Sequence, residues 1–219
     1  MKFGVVIFPG SNCDADVVNA LRNEIKQEVI ELWHKDKDLS AFSKDDCIVL
    51  PGGFSFGDYL RCGAIAKFSP MMQSVITFAN NGGKVLGICN GFQILCESGL
   101  LPGVLLRNAN MQFVCKNVFI KDRNGEIIKI PIAHGEGRYF ADNKTLEQLR
   151  SQDQILYTYC DEDGNVLKQN PNGSIEGIAG ICNMQRNVIG MMPHPERACS
   201  ATLGNEDGKK IFKELFSIN

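Results

Sequence analysis

In Lys84-Val85-Leu86-Gly87-Ile88-Cys89-Asn90-Gly91-Phe92-Gln93-Ile94-Leu95, the apolar run from Lys84 to Ile88 passes with no intervening turn into a segment of helical spacing. A buried strand feeding straight into a helix is the unit of a layered α/β protein. The sequence on either side repeats it. Upstream, Ser69-Pro70 opens a helix with proline at its first position, Phe68, Met71, Met72, Val75, Ile76 and Ala79 recur at helical spacing, and Asn81-Gly82-Gly83 closes it. Cys47–Leu50, Val29–Trp33 and residues 3–8 read as three more strands. After the first, Asp14 and Asp16 open a helix whose apolar face is Val17, Val18, Leu21 and Ile25. The expected fold is therefore α/β, a doubly wound, mostly parallel sheet in one domain over residues 1–219.

The second half reads differently. Phe113–Cys115, Val118–Ile120 and Ile127–Ile130 are short runs around Arg123-Asn124-Gly125, a hairpin signal that predicts added antiparallel strands. Asp161–Gly164 and Asn170–Gly173 read as loops, and a last helix starts near Asn205 and buries Ile211, Phe212, Leu215 and Phe216.

Composition narrows the function. With 219 residues, 44% hydrophobic and 22% charged, the chain has material for a substantial core without metal or disulfide staples. A net charge of −2 with no basic block argues against nucleic acid, and no stretch approaches the roughly 18 apolar residues of a membrane span. The opening Met1–Gly10 stops its apolar run at Pro-Gly and reads as a strand, not a signal peptide. Nine cysteines with no CxxC pair and no zinc spacing point to free thiols in a reducing, cytoplasmic compartment.

Gly87-Ile88-Cys89-Asn90-Gly91 has the form of a nucleophile elbow with cysteine as the nucleophile. Glycines two residues either side would clear the strained turn, and the thiol would stand above the carboxyl end of the sheet with helix amides aimed at it. The competing reading is a structural thiol, which suits Cys96 on the apolar helix face better than Cys89. A thiol nucleophile needs a base, and the base an orienting acid. Of three histidines, His194 stands in Met192-Pro193-His194-Pro195-Glu196-Arg197; an extended backbone before Pro195 would set Glu196 about 6.6 Å along on the same face. In isolation the motif reads as a loop histidine beside a solvated glutamate, and it is the elbow that favours the pair. His34 lies in a charged run and reads as solvated, while His134, flanked by Gly135-Glu136-Gly137, is placed to line a site. Leu50–Asp58, with Gly52-Gly53, follows a strand with no room for a helix; taken alone the double glycine reads as a plain turn, and beside the elbow Gly53 N–H with Asn90 N–H would make an oxyanion hole.

Taken together, Pro51-Gly52-Gly53, Gly87-x-Cys89-x-Gly91-x-Gln93 and His194-x-Glu196 resemble the class I (triad) glutamine amidotransferases. Phe8–Asp14, Phe54–Cys62, His134–Tyr139, Asn170–Ser174 and Met191–Arg197 resemble the branch that serves purine biosynthesis as a separate glutaminase subunit. The resemblance implies a flavodoxin-like sheet and hydrolysis of L-glutamine through a Cys89 γ-glutamyl thioester. It casts His194 as proton carrier, Glu196 as its orienter, and Gly53 and Asn90 as oxyanion donors. Gln93, His134 and Gly135 would contact the substrate. No metal or cofactor is implied for this chain; ATP and Mg2+ belong to a large synthase subunit, which a small bridging subunit joins to the glutaminase. A free-standing cysteine hydrolase or peptidase explains the elbow but leaves Phe8–Asp14 and Asn170–Ser174 without a role. An inactive interaction subunit is at odds with Cys89, His194 and Glu196 all being present.

Overall fold

The computed structural model describes residues 1–217. β1 (Lys2–Ile7) leads to α1 (Asp14–Asn19), β2 (Glu28–Trp33), β3 (Cys47–Leu50), α2 (Pro70–Asn80), β4 (Lys84–Ile88) and α3 (Asn90–Glu97). These follow the apolar periodicity closely. Ser69 caps α2 by accepting from Met72 N–H. The first helix is less regular than its spacing suggests: α1 passes into a wider π-type turn over Ala20–Glu24. The second half adds β5 (Val104–Leu106), β6 (Val114–Asp122), β7 (Ile127–His134), β8 (Arg138–Phe140), α4 (Asn143–Ser151), β9 (Ile155–Cys160), β10 (Ile178–Cys182), β11 (Val188–Met191) and α5 (Asp207–Phe216).

Nine strands form one sheet in the order β2-β1-β3-β4-β11-β10-β9-β6-β7, and β5 pairs with β8 outside it. From β2 to β11 every pairing is parallel; from β11 to β7 every pairing is antiparallel. The last strand in the sequence thus enters the middle of the sheet. β3 and β11 are buried at every position and β1 and β4 at all but their ends, as interior strands covered on both faces must be. β6, by contrast, exposes three successive residues before it alternates. Among the described residues no helix is long and apolar enough to cross a membrane.

Two local expectations are corrected and one is sharpened. His34 is not solvated: it is 5% exposed and packed among Phe8, Trp33 and Phe56, because the chain folds it back from the charged run against β1. The segment after Gly53 forms no regular helix, as expected, but a tight kinked turn over Ser55–Asp58 with Phe56, Gly57 and Asp58 at positive φ. Glu196 does not sit along a strand from His194; Pro195–Ala198 is a 3-10 turn, with proline at its start where a missing N–H costs nothing.

Candidate active site

The carboxyl ends of three adjacent strands, β3, β4 and β11, bring the three motifs together. Leu50 pairs with Gly87 and Met191 with Ile88, so the residues that follow each strand emerge side by side. Cys89 donates its backbone N–H to Met191 O at 2.8 Å, which ties the elbow to the strand that leads to His194. Cys89 has φ +51°, a strained angle at the junction of β4 and α3. The flanking glycines have the predicted cause. A side chain on Gly91 would run into Leu50 O, and one on Gly87 would lie 2.6 Å from the Gly91 backbone.

His194 and Glu196 are buried, and His194 Nδ1 lies 2.6 Å from Glu196 Oε1. That bond fixes Nδ1 as the protonated nitrogen and leaves Nε2, which has no hydrogen-bond partner among the described residues, for the thiol. Burial pushes the His194 imidazolium down, but Glu196 and Cys89 outweigh it and carry His194 above the ordinary histidine range. The Cys89 thiol lies 3.8 Å from Ala133 O on β7. Gly52 has room for nothing larger than hydrogen: a Cβ there would sit 2.7 Å from His194 Cε1 and 3.4 Å from Cys89 Cβ.

The loop Pro9–Cys13 is the bed on which the double glycine lies. Pro9 O and Gly10 O accept from Phe56 and Phe54 N–H. Ser11 Oγ donates to Gly52 O at 3.1 Å and so holds the Gly52–Gly53 peptide in one orientation. Arg197 reaches back to the same loop, donating to Asp16 Oδ2 and Cys13 Sγ, both at 3.0 Å. Cys13, His194 and Glu196 each bring one donor atom within 4.8 Å of the others. The guanidinium on Cys13 opposes a cation there, and burial pushes the Cys13 thiol up to about 12. Cys13 therefore stays a protonated neighbour of the triad. In the sequence Ser11, Cys13 and Arg197 lie within the longer segments named above, and nothing local gives any of them a role.

Gln93 and Asn90 are knit together: Asn90 Nδ2 donates to Gln93 Oε1 (2.9 Å) and Asp58 Oδ1 (3.3 Å), and Gln93 Nε2 donates to Glu136 O (2.6 Å). Gln93 thus links α3 to the turn after β7, both ends of its amide already bonded within the protein. Burial raises the Asp58 carboxyl above its usual range, with Glu136 adding to the shift. The 134–139 turn is held from behind by groups far away in sequence. Asn172 Nδ2 donates to Gly137 O and Ser174 Oγ accepts from Tyr139 N–H. A cavity of about 960 Å3 is lined by the Asn170–Gly173 loop, Lys116–Phe119 and Cys160–Glu162, and includes none of Cys89, His194 and Glu196.

Comparison with known proteins finds relatives along the whole chain. The phosphoribosylformylglycinamidine synthase subunit PurQ of Acaryochloris marina is 53% identical over 99% of this chain and 96% of its own length. That of Koribacter versatilis is 54% identical over 98% and 97%. The solved structure of PurLQS from Thermotoga maritima contains a chain that superposes with a TM-score of 0.84 at 40% identity, covering 99% of this chain and 97% of that one. A glutamine amidotransferase from Thermotoga maritima, 16% identical with a TM-score of 0.55 over 100% of this chain and 86% of that one, shares the fold. A model of the CobB/CobQ-like glutamine amidotransferase domain matches residues 1–215, the span that carries the elbow, the double glycine and the His194–Glu196 pair, and the chain belongs to that family.

Proposed function

We propose that this chain is the glutaminase subunit of a phosphoribosylformylglycinamidine synthase, one type 1 amidotransferase domain over residues 1–219 that hydrolyses L-glutamine and passes the ammonia to a synthase. The observation that carries the reading is the buried pair His194–Glu196 set beside Cys89 at the ends of two hydrogen-bonded strands. Cys89 thiolate attacks the side-chain amide carbon of glutamine, and the negative charge moves onto the carbonyl oxygen. Gly53 N–H and Asn90 N–H receive that charge. His194 gives its proton to the departing nitrogen, the C–N bond breaks, and ammonia leaves a γ-glutamyl thioester on Cys89. Water then loses a proton to His194 as it attacks the thioester, and glutamate and the free thiol are released. Glu196 holds the imidazole in register and stabilises its charged form. Gln93, His134 and Gly135 line the side that takes the α-amino and carboxylate groups.

The ammonia goes to a large synthase subunit that uses ATP and Mg2+, with a small bridging subunit between the two, in the cytoplasm. A partner surface is available round the site: Phe54 and Phe113, each about half exposed, stack at 6.5 Å, and Tyr59 and Leu60 extend the apolar face. The test is labelling with a glutamine-mimicking electrophile followed by mass spectrometry, together with assays of the assembled complex. A single adduct on Cys89 is expected. The Cys89→Ala complex should lose glutamine-dependent synthesis and keep synthesis from ammonium salt. Loss of both in a folded, assembled complex would overturn the division of labour.

A further inference from the structure

Asn108 is fully buried, and all its polar groups are bonded within the protein. Its side-chain N–H groups donate to His134 O and Gln112 O, both at 2.8 Å. Its Oδ1 accepts from Gly137 N–H at 3.1 Å and lies 3.1 Å from His134 Nδ1. The backbone N–H donates to Gly135 O, and the carbonyl accepts from Met111 N–H. Two carbonyls on the amide nitrogen settle which end of the amide is which. The atom facing His134 Nδ1 is therefore an acceptor, and Nδ1 carries the proton. His134 Nε2 is left as a bare acceptor, buried and without a partner among the described residues. The ring is packed against Gly137, where any side chain would strike it.

A buried bare acceptor costs stability unless something donates to it. An oxyanion or a carboxylate would be repelled there; an ammonium group supplies the missing donor. We propose that Asn108 is a positioning residue for glutamine binding, holding the Gly135–Gly137 turn and fixing His134 so that Nε2 is the open acceptor for the substrate's α-ammonium group. The inference rests on the glutaminase reading above and adds to the backbone contacts expected of that turn a side-chain acceptor and the residue that sets it. Burial, with the His194 charge beside it, pushes His134 down to about 4, which keeps the acceptor neutral and open at working pH. The charged group acting on the ring is His194; on the adjoining segments Cys89 lies 3.8 Å from Ala133 O, and Glu136 pairs with Arg107 at 3.6 Å. The 108–112 loop brings no charge.

The experiment has two parts. Nitrogen-15 NMR of the full-length chain, which has only three histidines, should show His134 as the neutral Nδ1–H form from pH 5 to pH 9; an Nε2–H form, or titration near 6.5, overturns the proposal. This part needs no turnover and no variant, so it stands even if the glutaminase reading fails, a failure that would appear as an inactive wild-type complex. The second part measures glutamine hydrolysis by the assembled complex carrying Asn108→Asp. A carboxylate beside Nδ1 draws a proton onto His134, so the KM for glutamine should rise about tenfold at pH 6 and recover in part at pH 8.5, with kcat within about threefold. Glutaramate, which lacks the α-amino group, should show no such pH-dependent rise. A folded Asn108→Asp complex with the wild-type KM at both pH values, or equal effects on both substrates, overturns the proposal.

Discussion

The parallel and antiparallel halves of one sheet hold their site residues by different means. In the half from β2 to β11, the main chain does the positioning. Cys89, Gly52 and His194 stand at strand ends whose register is set by ladder hydrogen bonds, and few side chains are needed to align them. In the half from β10 to β7, the His134–Tyr139 turn leaves the sheet, and buried side chains support its shape: Asn108, Asn172 and Ser174 reach its main chain across 26 to 37 residues of sequence. Reactive atoms gain from the stiffer mounting, since small misplacements cost rate steeply. A turn that recognises substrate can be built from buried amides, provided each is satisfied.

The contrast predicts a division in kinetics. Changes on the parallel side should fall on kcat, and changes on the antiparallel side on KM and stability. The largest effect is expected for His194→Ala, where turnover should drop by about as much as with loss of Cys89, several thousandfold or more; a residual rate within tenfold of wild type would remove His194 from the chemistry. Glu196→Gln keeps the shape but reverses the partner offered to Nδ1. By analogy with serine triads the loss in kcat should approach about 10⁴-fold at most, and full activity across the pH range would make Glu196 structural. Asn172→Ala sharpens the comparison from the other half. It removes the Asn172 donor from Tyr159 OH and from Gly137 O, leaving the latter only Ser174 Oγ, so denaturant unfolding should show a loss of about 1–3 kcal/mol, with KM rising more than kcat falls. A fall in kcat alone would show that the two halves are not separable in this way.

Ser11→Ala should act more gently and on the parallel side. It releases Gly52 O, so the Gly52–Gly53 peptide can turn and its N–H leave the oxyanion position for part of the time. About tenfold in kcat with an unchanged KM is the expected result from steady-state assays, and a shift in KM alone would count against it. The smallest effect concerns pH. His134 is held below its unfolded value, so folding refuses a proton that the unfolded chain accepts, and stability falls as pH drops from about 6.5 towards 4. His34 is shifted in the same direction by burial. His194 is held above its unfolded value; its contribution is complete below about 6.5 and is lost as pH rises through the raised value. Denaturation at pH 4.5 and 7 should therefore show a smaller acid loss for His134→Gln than for wild type, and identical losses would contradict the assignment.

The same division governs what the sequence made legible. β1, β3 and β4 announce themselves as apolar runs because both their faces are covered, and the elbow is readable because its glycines and cysteine lie within five consecutive residues. His194 and Glu196 were found from spacing, although a 3-10 turn and not an extended strand brings them together. Asn108 carried no signal. It sits in Arg107-Asn108-Ala109-Asn110, and only the folded chain shows that one of these asparagines is fully buried and the other exposed. His34 misled for the matching reason: a charged neighbourhood in sequence became, after folding, an aromatic one. Ser11 and Asn172 lie in segments that stand out in the sequence, but nothing local shows their task, since their partners are 41 and 35 residues away.

The position of β11 has a consequence for the order in which this molecule becomes itself. Its parallel pairing with β4 closes a loop of about a hundred residues, and it fills the gap between β4 and β10 from the far end of the chain. A chain emerging from the ribosome can fold β1 to β4 with the elbow already formed, yet it has no base for the thiol until the last thirty or so residues are free. Long loop closures are also slow. Birth of the activity therefore coincides with completion of the sheet, and a truncated or half-folded chain exposes a cysteine in a turn with nothing beside it to set it working.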